Sequence, residues 1–148
     1  FYDKSTNLHV KLKSVASELH GLDNDEESLK SLIEDCPGEY FNSFNHLDEY
    51  DVVLVPETLE HIRNQESFLS NLFNVSFKEI ILTVPNIVHY GKEIIQTDDS
   101  SIEINHPDHK SWHSPYTLYN TLKPWINENN CEMIYLEGKS MIGARITC

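Results

Sequence analysis

The chain of 148 residues carries 11 lysines and arginines against 24 aspartates and glutamates, a formal net charge of −13. Such a surface would repel a phosphate backbone, which argues against a nucleic-acid partner. The length suffices for one domain with a real core, and the longest apolar runs are far shorter than the roughly 20 residues of a membrane-spanning helix. We therefore expect a soluble single domain, residues 1–148, without membrane contact.

The cysteines bear on the cellular compartment of the protein, and the first residue bears on where its natural sequence begins. Cys36, Cys131 and Cys148 are odd in number and form no Cys-x-x-Cys pair, and no signal peptide precedes them. This favours reduced thiols in a cytoplasmic protein. The sequence begins at Phe1 without a methionine, so we expect that a segment upstream has been removed or was never part of this sequence.

The N-terminal half alternates predicted helices and strands. The residues from Ser5 to Ser17 have helical apolar spacing, with Ser5 as the N-cap. "ELHGLD" is a short predicted strand, and "NDEESLKSLIEDCPG" is a second helix with acidic residues in its first turn, which Pro37 and Gly38 end. "EYFNSF" is a weaker strand.

The C-terminal half continues the alternation with stronger signals. The residues from Asp51 to Val55 form an uninterrupted apolar strand, as expected of a strand covered on both faces. A helix over "NQESFLSNLFNVS" and a strand over "KEIILTVPN" follow. After a long polar stretch, residues 87–113, Ser114 and Pro115 signal the start of a helix. "CEMIYLE" and "SMIGARIT", joined by "GKS", are predicted to pair as an antiparallel hairpin.

This order predicts an α/β fold, a three-layer αβα sandwich around a mostly parallel, doubly wound sheet that ends in an antiparallel hairpin. Ligands of such sheets bind at the carboxyl ends of the strands. The polar residues after "HGL", "DVVLV" and "IILTV" would lie along that edge.

Four stretches in chain order resemble the class I S-adenosylmethionine-dependent methyltransferases. "ELHGLDNDEESL" is similar to their second strand and loop, and "EYDVVLVPETLEHIRNQESFL" to their fourth strand with its Glu-x-x-Glu-His ending. "KEIILTVPN" is similar to the fifth strand, and "HPDHKSWHSPYTL" to the segment before the next helix in some subfamilies. The resemblance covers nearly the whole chain and implies S-adenosylmethionine as cofactor.

The predicted cofactor residues follow the second and third strands of that pattern. An aspartate such as Asp23 can accept both ribose hydroxyls, while Leu22 and Asn24 would flank the adenine. The alternative is that this stretch only caps the following helix, since Asp23, Asn24 and Asp25 are all good capping residues. The resemblance further implies contacts from Phe44 and Asn45, where the family more often has an aspartate, and from Tyr2, at the tail of the expected glycine-rich loop.

Glu57, Glu60 and His61 form the chemical ending of the strong strand. In a helical turn starting near Thr58, Glu57 and His61 would point the same way. His61 could then take a proton from an acceptor, assisted by Glu57, or the two could simply pair and cap the turn. Because the resemblance implies that this segment lines the cofactor and substrate cleft, we predict the catalytic role for this pair. Glu60 is a predicted substrate contact.

The next polar segment carries His106, His109 and His113. These could ligate zinc, but their spacing follows no standard zinc pattern, and we predict no metal site. A substrate-side lid containing Trp112 and Tyr116 is favoured, although these aromatic residues could instead anchor the loop. The predicted substrate contacts are Asn86, His109, Trp112 and His113.

One expected element is missing. The family binds its cofactor with a glycine-rich loop after a first strand, and the five glycines present lie elsewhere. We therefore expect an N-terminally truncated fold, whose unfilled sheet edge invites homo-oligomers. We expect the 148-residue chain to bind S-adenosylmethionine weakly or not at all, and the complete gene product to bind it, which calorimetric titration of both would test.

The resemblance implies that the complete protein is an enzyme that methylates an oxygen or nitrogen of a small polar acceptor. Two alternatives remain open at this point. The domain could be a non-catalytic, methyltransferase-like binding module, or it could be an unrelated nucleotide-binding α/β protein.

Overall fold

The computed structural model describes residues 7–89 and 108–148 and shows helices alternating with strands. Its contacts group into two compact units, Phe1–Asp48 and Glu49–Cys148, and each unit has a sheet of its own. Whether residues 1–148 act as a single domain stays a prediction.

The first unit contains a short helix followed by a strand–helix–strand motif. Helix α1 begins after Asn7, whose side chain accepts a hydrogen bond from the Val10 amide, and it is much shorter than predicted. The predicted cap, Ser5, lies outside the described residues. The bounds are α1 Leu8–Leu12, β1 His20–Leu22, α2 Glu26–Asp35 and β2 Glu39–Phe41, with a 3-10 turn at Phe44–His46.

Strands β1 and β2 pair in parallel, in register from His20 opposite Glu39 to Leu22 opposite Phe41. The crossover helix α2 is capped by Asp25, whose Oδ1 accepts the Glu27 amide at 3.0 Å. Since parallel strands end at the same edge of a sheet, the residues that follow β1 and β2 share one edge.

The second unit is larger and holds most of the buried core. Its elements are β3 Glu49–Pro56, α3 Gln65–Leu72, β4 Ser76–Pro85, α4 Pro115–Leu122, β5 Cys131–Leu136 and β6 Met141–Thr147. The strand order is β3-β4-β6-β5. Strand β3 pairs with β4 in parallel, and β5 and β6 form the predicted antiparallel hairpin, with β6 also antiparallel to β4.

The core of this unit forms because apolar residues recur at helical spacing opposite the two central strands. Leu69 and Leu72 of α3 and Leu118 and Leu122 of α4 are at most 2% exposed. Burial of such side chains is worth about 1.5 to 3 kcal/mol each. They are joined by Leu59, Ile80, Leu82, Val84, Ile142, Ala144 and Ile146.

The helix starts of the second unit follow the sequence signals. Asn64 caps α3 by accepting the Ser67 amide at 3.0 Å. Ser114 and Thr117 form a reciprocal capping box at the start of α4, with Pro115 in the first turn. None of the helices in the described ranges is long and apolar enough to cross a membrane.

Strand β3 corrects one expectation. The run from Asp51 to Val55 was predicted to be covered on both faces, but Val52 is 48% and Leu54 is 38% exposed. Within residues 7–89 and 108–148, β3 pairs with β4 alone and is therefore an edge strand. An apolar run identifies a strand but does not distinguish a central strand from an edge strand. The predicted homo-oligomer through such an edge stays a prediction.

Candidate functional site

The carboxyl end of β3 turns sharply at Glu57. This residue has a φ of 44°, in the left-handed region that non-glycine residues rarely adopt. Its amide donates to the Thr83 carbonyl at 3.0 Å and lies 3.3 Å from Thr83 Oγ1 on β4. Strained backbone of this kind costs on the order of 1 kcal/mol and concentrates at functional sites.

A single 3-10 turn, Leu59–His61, follows Glu57. Leu59 is fully buried in the core, so it fixes the direction in which the next two side chains project. The predicted turn near Thr58 is confirmed, with Thr58 as its cap. Glu57 precedes the turn, so the helical i, i+4 spacing assumed for Glu57 and His61 does not describe the pair.

Glu60, His61 and His109 form a compact group, called here the Glu60–His61–His109 cluster. Each offers one ligand atom, and these atoms all lie within 4.8 Å of one another. His61 Nε2 is 3.9 Å from Glu60 Oε1, and the two imidazole rings meet edge to face with centroids 4.9 Å apart. On the exposed side, Asp108 Oδ2 is 3.5 Å from His61 Nδ1.

The Glu60 carboxylate in this cluster is buried. Glu60 is only 1% exposed, and neither of its carboxylate oxygens has a hydrogen-bond partner in the described part of the chain. Burial raises the pKa of Glu60 to about 7; the residue's own backbone partly offsets this shift, and the nearby Glu57 charge adds to it. An ionised carboxylate buried without a partner costs several kcal/mol.

Glu57 places a second, partly buried carboxylate beside the cluster. Its Oε1 is buried and has no hydrogen-bond partner among the described residues. Burial raises the pKa of Glu57; a side-chain hydrogen bond with Thr83 partly offsets this shift, and Glu137 adds repulsion. Two neighbouring carboxylates with unpaired oxygens create a strongly negative, cation-seeking site.

The donor set fits a divalent cation. Carboxylate oxygens suit Mg²⁺ and Mn²⁺, and imidazole nitrogens suit Zn²⁺ and Fe²⁺, so a mixed set can hold several of these ions. The sequence pointed elsewhere, since it weighed zinc at His106, His109 and His113 and predicted no metal. His106 lies outside the described residues, and His109 groups with Glu60 and His61.

Two predicted substrate contacts point into the protein. His113 is 3% exposed; its Nε2 lies 3.1 Å from Ser111 Oγ, and burial lowers its pKa to about 4. Asn86 is 5% exposed; its amide donates to the Lys139 carbonyl and accepts from the Val88 amide. The Asn86 side chain and His113 Nε2 contact other parts of the chain, whereas His113 Nδ1 has no hydrogen-bond partner among the described residues. A substrate contact by either residue stays a prediction.

The aromatic residues of the predicted lid lie at the surface. Trp112 is 44% and Tyr116 is 74% exposed, which is compatible with an acceptor-facing surface. Most of the long polar segment, residues 90–107, lies outside the described residues, so the predicted lid stays a prediction.

The predicted cofactor residues lie in the first unit, at the edge where β1 and β2 end. Asp23 and Asn24 are exposed, and Leu22 is 39% exposed. Asp23 Oδ1 accepts the Asp25 amide at 2.9 Å in the turn before α2, and Asp25, one of the three capping candidates, is the N-cap. Phe44 and Asn45 lie on the 3-10 turn after β2. Tyr2 lies outside the described residues.

Some residues around the cluster carried no signal in the sequence. Thr83 was part of an apolar strand and Gln65 part of a helix, yet Thr83 holds the Glu57 backbone and Gln65 contacts Ser111 and His113. Their partners are distant in the chain, so spacing could not reveal them.

Neither a family model nor a curated protein matches this chain. Solved structures do. The methyltransferase domain of a bacterial Hen1, CtHen1, matches with a TM-score of 0.66 and 14% identity over 95% of this chain and 84% of that one. A DhpI–SAM–HEP complex matches with a TM-score of 0.64 and 13% identity, over 93% of this chain and 72% of that one.

A third structure is the Pnkp1/Rnl/Hen1 RNA repair complex, with a TM-score of 0.62 and 12% identity. The match covers 93% of this chain, which spans only about a third, 33%, of that chain. At these identities the likeness concerns the fold, and it confirms the predicted fold class. The chain thus has the class I S-adenosylmethionine-dependent methyltransferase fold.

Proposed function

We propose that the protein transfers a methyl group from S-adenosylmethionine to a hydroxyl oxygen of a small polar acceptor, with a divalent cation at the Glu60–His61–His109 cluster. The observation that carries this proposal is the buried, unpaired Glu60 carboxylate beside two histidines. Glu60 follows the parallel strand β3 in a methyltransferase-type fold, and folds of this type bind ligands at such strand ends.

The first unit supports the cofactor part of the proposal. The exposed Asp23 carboxylate uses Oδ1 for the local turn, which leaves Oδ2 to accept a ribose hydroxyl. Leu22 is a partly exposed apolar side chain next to it, suited to an adenine face. When bound, S-adenosylmethionine supplies a methyl group on a positively charged sulfur.

Glu60, His61 and His109 would hold the cation, which would lower the pKa of an acceptor hydroxyl by acting as a Lewis acid. A hydroxyl needs such activation more than an amine does, because it is a weak nucleophile until it loses its proton. Glu57 lies beside the cluster, and burial raises its pKa towards the working range of a general base. Glu57 is therefore the group that takes the acceptor's proton.

The proposed reaction balances without a further reagent. A bond forms between the acceptor oxygen and the methyl carbon while the sulfur–methyl bond breaks. The sulfur keeps the electron pair of that bond and becomes a neutral thioether. The acceptor's proton goes to Glu57 and then to solvent.

In the metal-free alternative, His61 takes the proton itself, as the sequence predicted. The neighbouring Asp108 Oδ2, 3.5 Å from His61 Nδ1, would then orient the ring. The two versions differ in their response to chelation: only the cation-assisted one loses activity in EDTA and regains it with Mn²⁺.

A small acceptor is favoured by charge, since a net charge of −13 opposes a polyanion. We would measure S-adenosylhomocysteine formation by mass spectrometry, with Mn²⁺ or EDTA, against sugars, small alcohols, small amines and an RNA oligonucleotide. Mn²⁺-dependent turnover of a small hydroxyl acceptor is expected. Methylation of the RNA alone would contradict the small acceptor, and bound cofactor without turnover of any acceptor would favour the non-catalytic binding module.

A further inference from the structure

The Glu60–His61–His109 cluster joins two segments that are far apart in the sequence. Glu60 and His61 lie on the turn after β3, whereas His109 lies outside any helix or strand, ahead of α4. A mixed set of ligands works only if its members are held within a fraction of an ångström of their places. Contacts from neighbouring elements must therefore fix the His109 segment against the turn.

The backbone supplies the first of these contacts. The amides of Lys110 and Ser111 both point at the Glu60 carbonyl, at 2.7 and 3.2 Å. The carbonyl of a cluster residue is thus bonded to the two residues that directly follow His109. These two hydrogen bonds fix the distance between the turn after β3 and the His109 segment. They still allow the His109 segment to rotate about the Glu60 carbonyl.

Gln65, the first residue of α3, supplies the side-chain contacts. Its Nε2 lies 2.9 Å from the Leu59 carbonyl and 2.7 Å from Ser111 Oγ. An amide nitrogen carries two N–H groups and only donates, so one N–H reaches the turn and the other reaches the His109 segment. Gln65 therefore connects both halves of the cluster through a rigid helix end.

The connection continues from Ser111 to His113. Since Gln65 donates to Ser111 Oγ, the Ser111 hydroxyl can donate to His113 Nε2 at 3.1 Å. His113 is itself held by burial and by its carbonyl, which accepts the Ile87 amide at 2.9 Å after β4. The hydrogen-bond chain Gln65–Ser111–His113 thus ties the segment to α3 and β4 together.

We propose that Gln65 is a positioning residue: through Ser111 and His113 it fixes His109 against Glu60 and His61. Its catalytic meaning rests on the proposed function, but the positioning itself concerns this chain's own residues. Outer hydrogen bonds that orient metal ligands typically change metal affinity 10- to 100-fold when they are removed. A residue that only stabilised the fold would change stability and leave the affinity of the folded protein intact.

The test substitutes Gln65→Met, which keeps the length of the side chain and removes both donors. Calorimetry with Mn²⁺ alone should show a dissociation constant raised about tenfold. Hydrogen exchange by NMR should accelerate at the Lys110 and Ser111 amides but not at Ala144 in β6. Ser67→Ala, at an exposed position of the same helix, is the matched control and should change neither measurement.

A second pair keeps the proposal decidable if Gln65→Met fails to fold. Ser111→Ala should lower Mn²⁺ affinity and accelerate the same amides, while Ser111→Thr, which retains the hydroxyl, should restore both. Folded variants with affinity within twofold of the original protein would overturn the proposal, and so would exchange that accelerates equally in β6.

The same experiment separates this proposal from the proposed function. If the original protein does not bind Mn²⁺, the cation-assisted reaction fails. The positioning role is then decided by the Lys110 and Ser111 exchange rates and by the NMR contact between the His61 and His109 rings. Loss of that contact in Gln65→Met supports the role, and an unchanged contact with unchanged exchange overturns it.

Discussion

Asp23 and Glu60 are both acidic residues that follow a parallel strand, one in each unit, and their surroundings are opposite. Asp23 is exposed, and one of its oxygens accepts a hydrogen bond from the local turn. Glu60 is 1% exposed, with both oxygens unpaired among the described residues. The first carboxylate is stable as a charge and can accept hydroxyl groups, whereas ionising the second costs free energy that a neighbouring cation would offset.

The largest expected effect comes from removing the buried charge. Glu60→Gln keeps the shape of the side chain but removes the charge of a proposed metal ligand. Mn²⁺ affinity should fall at least about 100-fold, because removing even a hydrogen bond that orients a ligand lowers metal affinity 10- to 100-fold. The metal-free protein should become more stable at pH 8, by on the order of 3 kcal/mol, because an uncompensated buried charge is gone.

Calorimetry with Mn²⁺ and urea denaturation in EDTA measure the two effects of Glu60→Gln. Glu66→Gln removes an equal charge from an exposed position on α3 and serves as the control, with both quantities nearly unchanged. Lower stability of metal-free Glu60→Gln at pH 8 would show that the Glu60 charge has a partner, and the contrast with Asp23 would disappear.

The second-largest effect concerns His113, the other buried titratable residue near the site. The pKa of His113 is about 4 in the folded protein, below its ordinary value of 6.5, because of burial. The unfolded chain therefore binds the proton first as the pH falls. Stability tied to His113 is fully present above about pH 6.5, and about 3 kcal/mol of it is lost as the pH falls to 4.

Urea denaturation of metal-free protein between pH 7 and pH 4 tests this loss by comparison with His113→Asn. Glu60 titrates in the same range with the opposite sign but is present in both proteins, so the difference between them isolates His113. Parallel stability curves for the two proteins would mean that His113 is solvated, contrary to its 3% exposure.

The sequence predicted the parts of this molecule that depend on local patterns. Apolar runs located β3 and β4, and Ser114 with Pro115 located the start of α4, because period and capping act within a few residues. The exposed face of β3 at Val52 and Leu54 and the position of β3 at the edge of its sheet were not predictable, since an apolar run has the same composition at the centre and at the edge of a sheet.

The candidate site was predictable only in part for the same reason. The Glu-x-x-Glu-His ending predicted functional roles for Glu57, Glu60 and His61, because the whole motif lies on one strand end, and the structure places Glu60 and His61 in one cluster. Which loop histidine joins them depends on contacts across the fold. His109 reaches the cluster and His113 turns inward because Gln65 and Ser111 hold that segment, and no spacing within the segment records this.

The third prediction concerns Asp23, the exposed carboxylate in the comparison with Glu60. Asp23→Asn retains an oxygen for the Asp25 amide and removes the charge that strengthens hydrogen bonds to ribose hydroxyls. S-adenosylmethionine affinity should fall about tenfold, in line with a charged hydrogen bond worth about 1.5 kcal/mol, while the free energy of unfolding changes by less than about 0.5 kcal/mol.

Calorimetric titration of the complete gene product with S-adenosylmethionine, and urea denaturation, measure these two quantities for Asp23→Asn. Glu34→Gln, at an exposed position on α2, is the control for the lost charge. Unchanged affinity in Asp23→Asn would leave the residue with its hydrogen bond to the Asp25 amide alone.

The smallest effect is expected from an exposed carboxylate that lies beside the cluster. Asp108 is 64% exposed, 3.5 Å from His61 Nδ1, and 2.6 Å from Lys110 Nζ, whose hydrogen bond lowers the pKa of Asp108. Because exposed ion pairs are worth at most about 1 kcal/mol, Asp108→Asn should lower Mn²⁺ affinity by no more than about fivefold. A loss as large as that of Glu60→Gln would mean that closeness to His61, rather than burial, decides which carboxylate the cation needs.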